Sequence, residues 1–447
     1  MIATAPLCPA AARSRPGEGE KLLAVSVGLT ESKAPPSLSF LKLAGPGLIV
    51  AAAGIGSGDV VSATVGGAAY GVVLLWAIAV GAFFKFVLNE GIARFQLATG
   101  MTALEGWAEF LPGWVKTYFG LYLILWTVAV SAALTNATGL GIANLTGGVI
   151  SQPWGAVFHS LLGFVFVLLG GYAGFEKLMK GLVAVMGFTI LICAILTFQD
   201  PGATLRGLLV PTIPAGSGTY VLSIIGGIGG SITMLSYNYW MREEKISDGR
   251  YLGYVRGDIA IAYLFTALFG ISIMLIANQA FFVPNVRISD AQAVPKMAEM
   301  LATILGPFGA YAYSVGFWAA VFASLLGVWQ SVPYIYADFY SILKKEPEHV
   351  RKEGLKVTST RYRLALLFIT LAPMPFAFIR RPLFIIVTYT IVGSLFIPFL
   401  AATLLYLNNR VTWTATVPHN RWTTNALLFL ILALFVGVAV QEIVNAL

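Results

Sequence analysis

Charge is what this sequence has least of. Asp, Glu, Lys and Arg make up 11% of its 447 residues, against about 25% in an ordinary soluble domain, which argues against a freely soluble globular chain. Cysteine is nearly missing as well. Cys8 and Cys193 are too few for a disulfide framework or a zinc cluster. Cys193 sits in an apolar run and reads as a small buried hydrophobe. There is no His/Cys cluster, no nucleotide-binding loop and no pair of membrane acids, so the chain is not read as an enzyme and no cofactor is expected. The formal charge of +8 would suit nucleic acid, but the basic residues lie in short loops on one side of the apolar runs. That distribution is a membrane-topology signal, and no nucleic-acid partner is expected.

What is abundant is apolar surface. The chain is 58% hydrophobic, with repeated apolar runs of about 20 residues, the length that crosses a bilayer as a helix. The expected fold is an all-α integral membrane protein with about eleven spans at 43–69, 71–93, 117–140, 153–172, 178–198, 219–241, 257–282, 308–334, 362–379, 383–407 and 423–445. With the N-terminus inside, the cytoplasmic segments collect 22 Lys and Arg and the other side 5, which fixes the orientation. Residues 1–38 lack any run long enough to span and read as a disordered cytoplasmic tail. Residues 39–447 form the transmembrane domain.

Spans 1 and 6 are interrupted by glycine, at Gly54-Ile55-Gly56-Ser57-Gly58-Asp59 and Gly226-Gly227-Ile228-Gly229-Gly230-Ser231. Hydrocarbon offers no partners to backbone that leaves a helix, so such breaks survive only where they line a protein-buried cavity. Their offset of five spans inverts the second unit relative to the first. Residues 43–198 and 219–407 then form an inverted repeat, with helix 11 (423–445) added. Paired breaks of this kind point to a transporter's substrate site. Close helix packing is the other use of such glycines.

The residues around these breaks resemble the Nramp family of divalent-metal transporters: Gly45-Pro46-Gly47, Tyr70-Gly71, Leu74-Leu75-Trp76, Trp329-Gln330-Ser331, Thr360-Arg361 and Pro398-Phe399. The resemblance runs from about 42 to 440 and implies a LeuT-like fold with helices 1 and 6 broken, in a plasma (bacterial inner) membrane. It implies a divalent cation as transported substrate. The family's helix 1 motif, Asp-Pro-Gly-Asn, aligns with Gly56-Ser57-Gly58-Asp59, so Gly56 replaces the leading acid and Asp59 stands where Asn binds metal. Its helix 6 motif, Gly-Ala-x-x-Met-Pro-His, aligns with Gly230 to Ser236. Met234 then falls on the metal-binding thioether and Ser231 on the residue whose carbonyl contributes, though a slip of one residue would place Leu235 there instead. The Gln of helix 10 becomes Phe396. The acids of helix 3, linked in the family to proton movement, are missing from Thr135-Asn136-Ala137-Thr138, which counts against proton coupling.

The expected site is therefore Asp59, the carbonyls of Ala53 and Ser231, Gly56, and Met234. Asp59 also suits a cap on the following half-helix, which does not exclude ion binding. A thioether would favour manganese or iron over magnesium. Lys85 and Glu90 are further membrane charges with coupling or structural roles. Glu90 and Arg94, four apart, suit a helix ion pair, and Lys85 would snorkel or pair with Glu90. Asp258 is expected at the interface, and His159 in hydrogen-bonded structure. The alternative function is a carrier of a small organic solute such as an amino acid, its carboxylate held by half-helix N-termini.

Overall fold

The structure is a computed structural model that describes residues 45–284, 293–379, 381–410 and 417–446. The tail expected over 1–38 lies outside the described residues. Among them a helix lies at every expected span, in the fold class anticipated. The first span is α1 (Pro46–Gly54) and α2 (Ser57–Tyr70), and the second is α3 (Leu75–Thr99). A short helix α4 (Ala103–Phe110) precedes α5 (Gly113–Leu145). Spans 4 and 5 run together as α6 (Gln152–Thr197), where Gly171 (φ 59, ψ 171) leaves helical geometry and marks a kink between two helices. After α7 (Pro201–Leu209), the second broken span is α8 (Gly218–Gly227) and α9 (Thr233–Glu243), followed by α10 (Leu252–Ala277). The rest comprises α11 (Ala293–Leu305), α12 (Pro307–Leu343), α13 (Glu348–Gly354), α14 (Thr360–Leu371), α15 (Pro382–Ser394), α16 (Phe396–Arg410) and α17 (Trp422–Ala446). Six of the described helical runs are long and apolar enough to cross a bilayer unaided.

Burial sorts these helices into centre and periphery. The most apolar stretch of α12 is 89% buried inside the protein, and that of α6 only 44%. The outer face of α6 presents Trp154, Phe158, Leu162, Leu169, Phe188 and Ile195. A row of exposed large apolar side chains would be a liability in water and is the ordinary lipid face of a spanning helix.

Two close approaches hold the broken helices. A Cβ on Gly327 of α12 would lie 2.4 Å from Ala53 Cβ, and one on Gly47 would lie 2.5 Å from the carbonyl oxygen of Asp258. Asp258 of α10 is buried, where the sequence placed it at the interface. Its Oδ2 accepts from the Gly47 backbone N–H at 2.6 Å and from the Tyr237 hydroxyl at 2.8 Å. A carboxylate there also faces the positive end of α1.

At the ends of α9 and α12 lies a cluster of paired charges. Arg351 of α13 bonds both Asp338 and Glu105. Arg242 Nη2 reaches Glu105 at 2.9 Å, and the Tyr239 hydroxyl donates to Asp338 at 2.7 Å. Glu105 belongs to a capping box: its backbone N–H donates to the Thr102 hydroxyl and its carboxylate accepts from Thr102 N–H. Burial alone would raise the Glu105 carboxyl, but Arg242 and Arg351 outweigh it and hold it below the usual carboxylate range.

Candidate functional site at the two helix breaks

Both interruptions are real departures from the helix. In the first, Ile55 (φ −75, ψ 96) and Gly56 (φ −135, ψ −154) are extended. In the second, Gly229 and Gly230 take φ of +77 and +76, a region that side chains with a Cβ seldom enter. The breaks touch: a Cβ on Gly54 would lie 3.0 Å from the Gly229 backbone.

Asp59 joins them. Its Oδ2 accepts from Gly56 N–H at 3.1 Å and its Oδ1 from Gly229 N–H at 2.7 Å. The first bond caps α2, as the sequence allowed; the second reaches the other broken helix. Asp59 is 2% exposed. A carboxylate has about four lone-pair directions, so two remain beyond these bonds. Two residues before it the Ser57 hydroxyl, and at the second break the Thr233 hydroxyl beside Gly230, are buried without a partner, although buried polar groups nearly always find one.

Lys85 comes to the same place from α3, where snorkelling or a pair with Glu90 was the expectation. Its ammonium donates to the Gly226 carbonyl at 3.1 Å and to the Gly230 carbonyl. Glu90 is taken by Arg94 at 3.1 Å and by Arg256 at 2.8 Å. Lys85 is 0% exposed, and its carbonyl partners include one at the negative end of α8.

The remaining expected residues are near, but engaged. Ala53 O accepts from the Ser324 hydroxyl at 2.7 Å. Ser231 O accepts from Met234 N–H at 3.0 Å, and Ser231 Oγ from Trp126 Nε1 at 2.7 Å. Each of these oxygens keeps a second lone pair. Met234 and Leu235 are both buried in the apolar core. Phe396 stacks on Tyr122 with ring centres 5.9 Å apart, in a cluster with Trp107 and Phe399. α15 instead approaches the site through Tyr389 and Thr390, which flank Gly58; the sequence reading missed both. Among the described residues no three His, Cys, Asp or Glu side chains gather as a metal cage, so any ligand set here draws on carbonyls and hydroxyls.

On the α2 and α8 side a cavity of about 570 Å³ runs from exposed Thr219, Val387 and Ile391 down to buried Ser62 and Thr390. Ser62, Ser223 and Thr390 form a chain of hydroxyl contacts at 2.8 and 3.4 Å. A Cβ on Gly227 would meet Ser62 Oγ and the Gly58 carbonyl, so the cavity floor adjoins the break that carries Asp59.

Elsewhere, polar groups close on themselves. On α5, Thr135 and Thr138 hydroxyls bond carbonyls one turn back, and Asn136 binds Ala132 O and Gln152. His159 has both ring nitrogens committed, Nδ1 to Gly155 O at 2.7 Å and Nε2 to the indole N–H of Trp318 at 3.0 Å. Since the indole can only donate, Nε2 is the acceptor and the ring is neutral.

The family model described as "Natural resistance-associated macrophage protein-like" matches residues 47–445. The chain belongs to the Nramp family. Human natural resistance-associated macrophage protein 1 is 26% identical over 286 residues, 62% of this chain and 50% of its own; the match thus spans half of that relative. The divalent metal cation transporter MntH of Yersinia pestis is 23% identical over 324 residues, 69% of this chain and 76% of its own. Among solved structures, a mutant manganese transporter of Eremococcus coleocola superposes with TM-score 0.68 at 16% identity, covering 91% of this chain and 88% of that one. MhsT in complex with L-phenylalanine superposes with TM-score 0.57 at 17% identity, covering 91% and 99%. At these identities the superpositions establish the fold that Nramp and LeuT-like carriers share. This Nramp chain is an integral membrane protein of that fold.

Proposed function

We propose that this chain carries a divalent cation across the membrane by alternating access, binding it between the two breaks against Asp59. The N-terminus lies in the cytoplasm, in a plasma membrane, as the bias of basic residues supports. The observation that carries the reading is Asp59 itself: one buried carboxylate bonded to backbone N–H from both broken helices. A hard or borderline dication takes oxygen ligands of this kind; the carbonyls of Ala53 and Ser231 and the backbone at Gly56 complete the surround. If Met234 also turns to the ion, manganese or iron is favoured over magnesium. The cavity at α2, α8 and α15 is the approach from outside. Rocking of the broken helices with α3 and α10 against the other helices exposes the site to the cytoplasm. The family membership of MntH, named a divalent metal cation transporter, supports this substrate class.

The test is uptake of manganese and magnesium into proteoliposomes. Wild type is expected to accumulate at least one of them, and Asp59→Ala to lose uptake by about 100-fold or more, as befits loss of the acid that bonds both breaks. Liposomes that take up neither metal yet accumulate an amino acid would overturn the reading. They would favour a zwitterion carrier, which the opposed charges of Asp59 and Lys85 also suit.

A further inference from the structure

The loop from Gly226 to Gly230 is held from two sides by opposite charges. Asp59 accepts the N–H of Gly229, and Lys85 donates to the carbonyls of Gly226 and Gly230. The two charged groups do not pair with each other; each is satisfied by backbone. A row of inward carbonyls at a broken helix is what coordinates cations in a carrier of this architecture. Here those carbonyls already hold a cation, one that is covalently attached to α3. The position is also crowded enough to be specific: the Lys85 stem packs 3.7 Å from where a Gly229 Cβ would lie, and Tyr263 of α10 closes the other side at 2.8 Å.

We propose that Lys85 is a specificity-determining residue whose ammonium is a tethered competitor for the cargo cation. The proposal rests on the dication reading given above. Its consequence is a matter of charge. With Asp59 and Lys85 both in place, the empty site sums to zero, and burying a neutral site while the helices reorient avoids the cost of an unpaired buried charge. The empty carrier can therefore return without a second ion. A dication entering must displace the ammonium from the two carbonyls, so its affinity is held down and its release is eased. Without Lys85 the empty site would carry the bare charge of Asp59; it would hold a dication more tightly and return empty with difficulty.

The probe is manganese, with three proteins: wild type, Lys85→Gln, which keeps an N–H donor for the carbonyls but no charge, and Lys85→Arg, which keeps the charge. Calorimetry should show Lys85→Gln binding manganese about tenfold more tightly than wild type, or about 1.4 kcal/mol, and Lys85→Arg, which keeps the charge in a larger group, binding no more tightly than wild type. In proteoliposomes wild type should show net uptake into metal-free vesicles with no sodium or proton gradient. Lys85→Gln should keep exchange against internal manganese but lose net uptake by about tenfold. Equal or weaker binding by Lys85→Gln, or net uptake kept at the wild-type rate, overturns the proposal while leaving dication transport standing. Manganese binding by none of the three proteins overturns the dication reading beneath it. Should Lys85→Gln fail to fold, the gradient measurement on wild type decides: net uptake that strictly requires sodium or protons overturns the tethered-cation role, and uptake without either supports it.

Discussion

The molecule handles buried charge in two opposite ways. In the cluster at the ends of α9 and α12, charge meets charge: Arg351 bridges Asp338 and Glu105, and Arg242 bonds Glu105. At the helix breaks, charge meets backbone: Asp59 takes two N–H groups and Lys85 two carbonyls. The difference lies in what each arrangement leaves over. Opposed side chains consume one another and fasten four chain segments together, which suits an anchor. A carboxylate bonded only to backbone keeps its full charge and part of its coordinating capacity, which suits a place where something else must bind and leave.

That contrast can be broken by substitution. The largest stability effect is expected at the anchor. Asp338 is fully buried, and Asp338→Ala takes the acceptor from the Tyr239 hydroxyl and leaves Arg351 with Glu105 alone, at a cost of about 3 kcal/mol, read as a lowered unfolding midpoint in detergent. A near-neutral result would show that the cluster does not bear on stability. A smaller, pH-dependent effect is expected for Glu105→Gln. Because the folded carboxyl is held below its ordinary value of 4.5, its contribution is fully present above that pH and is lost as pH falls through the lower folded value. The stability gap between wild type and Glu105→Gln should hold constant from neutral pH down to about 4.5 and close below it; a gap that widens on acidification would reverse the sign. The smallest effect is expected at His159, whose ring nitrogens are both committed. His159→Gln should leave the pH profile of uptake between about 5 and 8 in place, and a displaced profile would show that this imidazole titrates during the cycle.

How much of this could be read from the chain alone depends on whether the cause was local. The breaks were legible because glycine at adjacent positions signals backbone that other residues avoid, and Gly229 and Gly230 do take positive φ. The spans were legible because bilayer thickness fixes their length. Asp59 stood out as a lone acid in an apolar span. The capping box of Thr102 and Glu105 was written in the sequence and overlooked. Lys85 was different: its partners lie 141 and 145 positions away, and the chain offered only snorkelling or a pair with Glu90, which Arg94 and Arg256 already occupy. Phe396 and Tyr389 show the same limit. The resemblance put Phe396 at the place of the family's helix 10 Gln, whereas the fold turns it into an aromatic cluster and brings Tyr389 and Thr390 forward.

The grip of Asp258 on the Gly47 amide has a mechanical consequence. With no room for even a methyl group between the start of α1 and the backbone of α10, these two segments meet as a pivot pressed against its bearing. A gate built from α1 swinging alone would have to tear the Gly47 amide from that carboxylate, which stays bonded to the Tyr237 phenol of α9. The cheaper stroke takes α10 and α9 along, so under the proposed alternating access the moving lever is at least three helices wide.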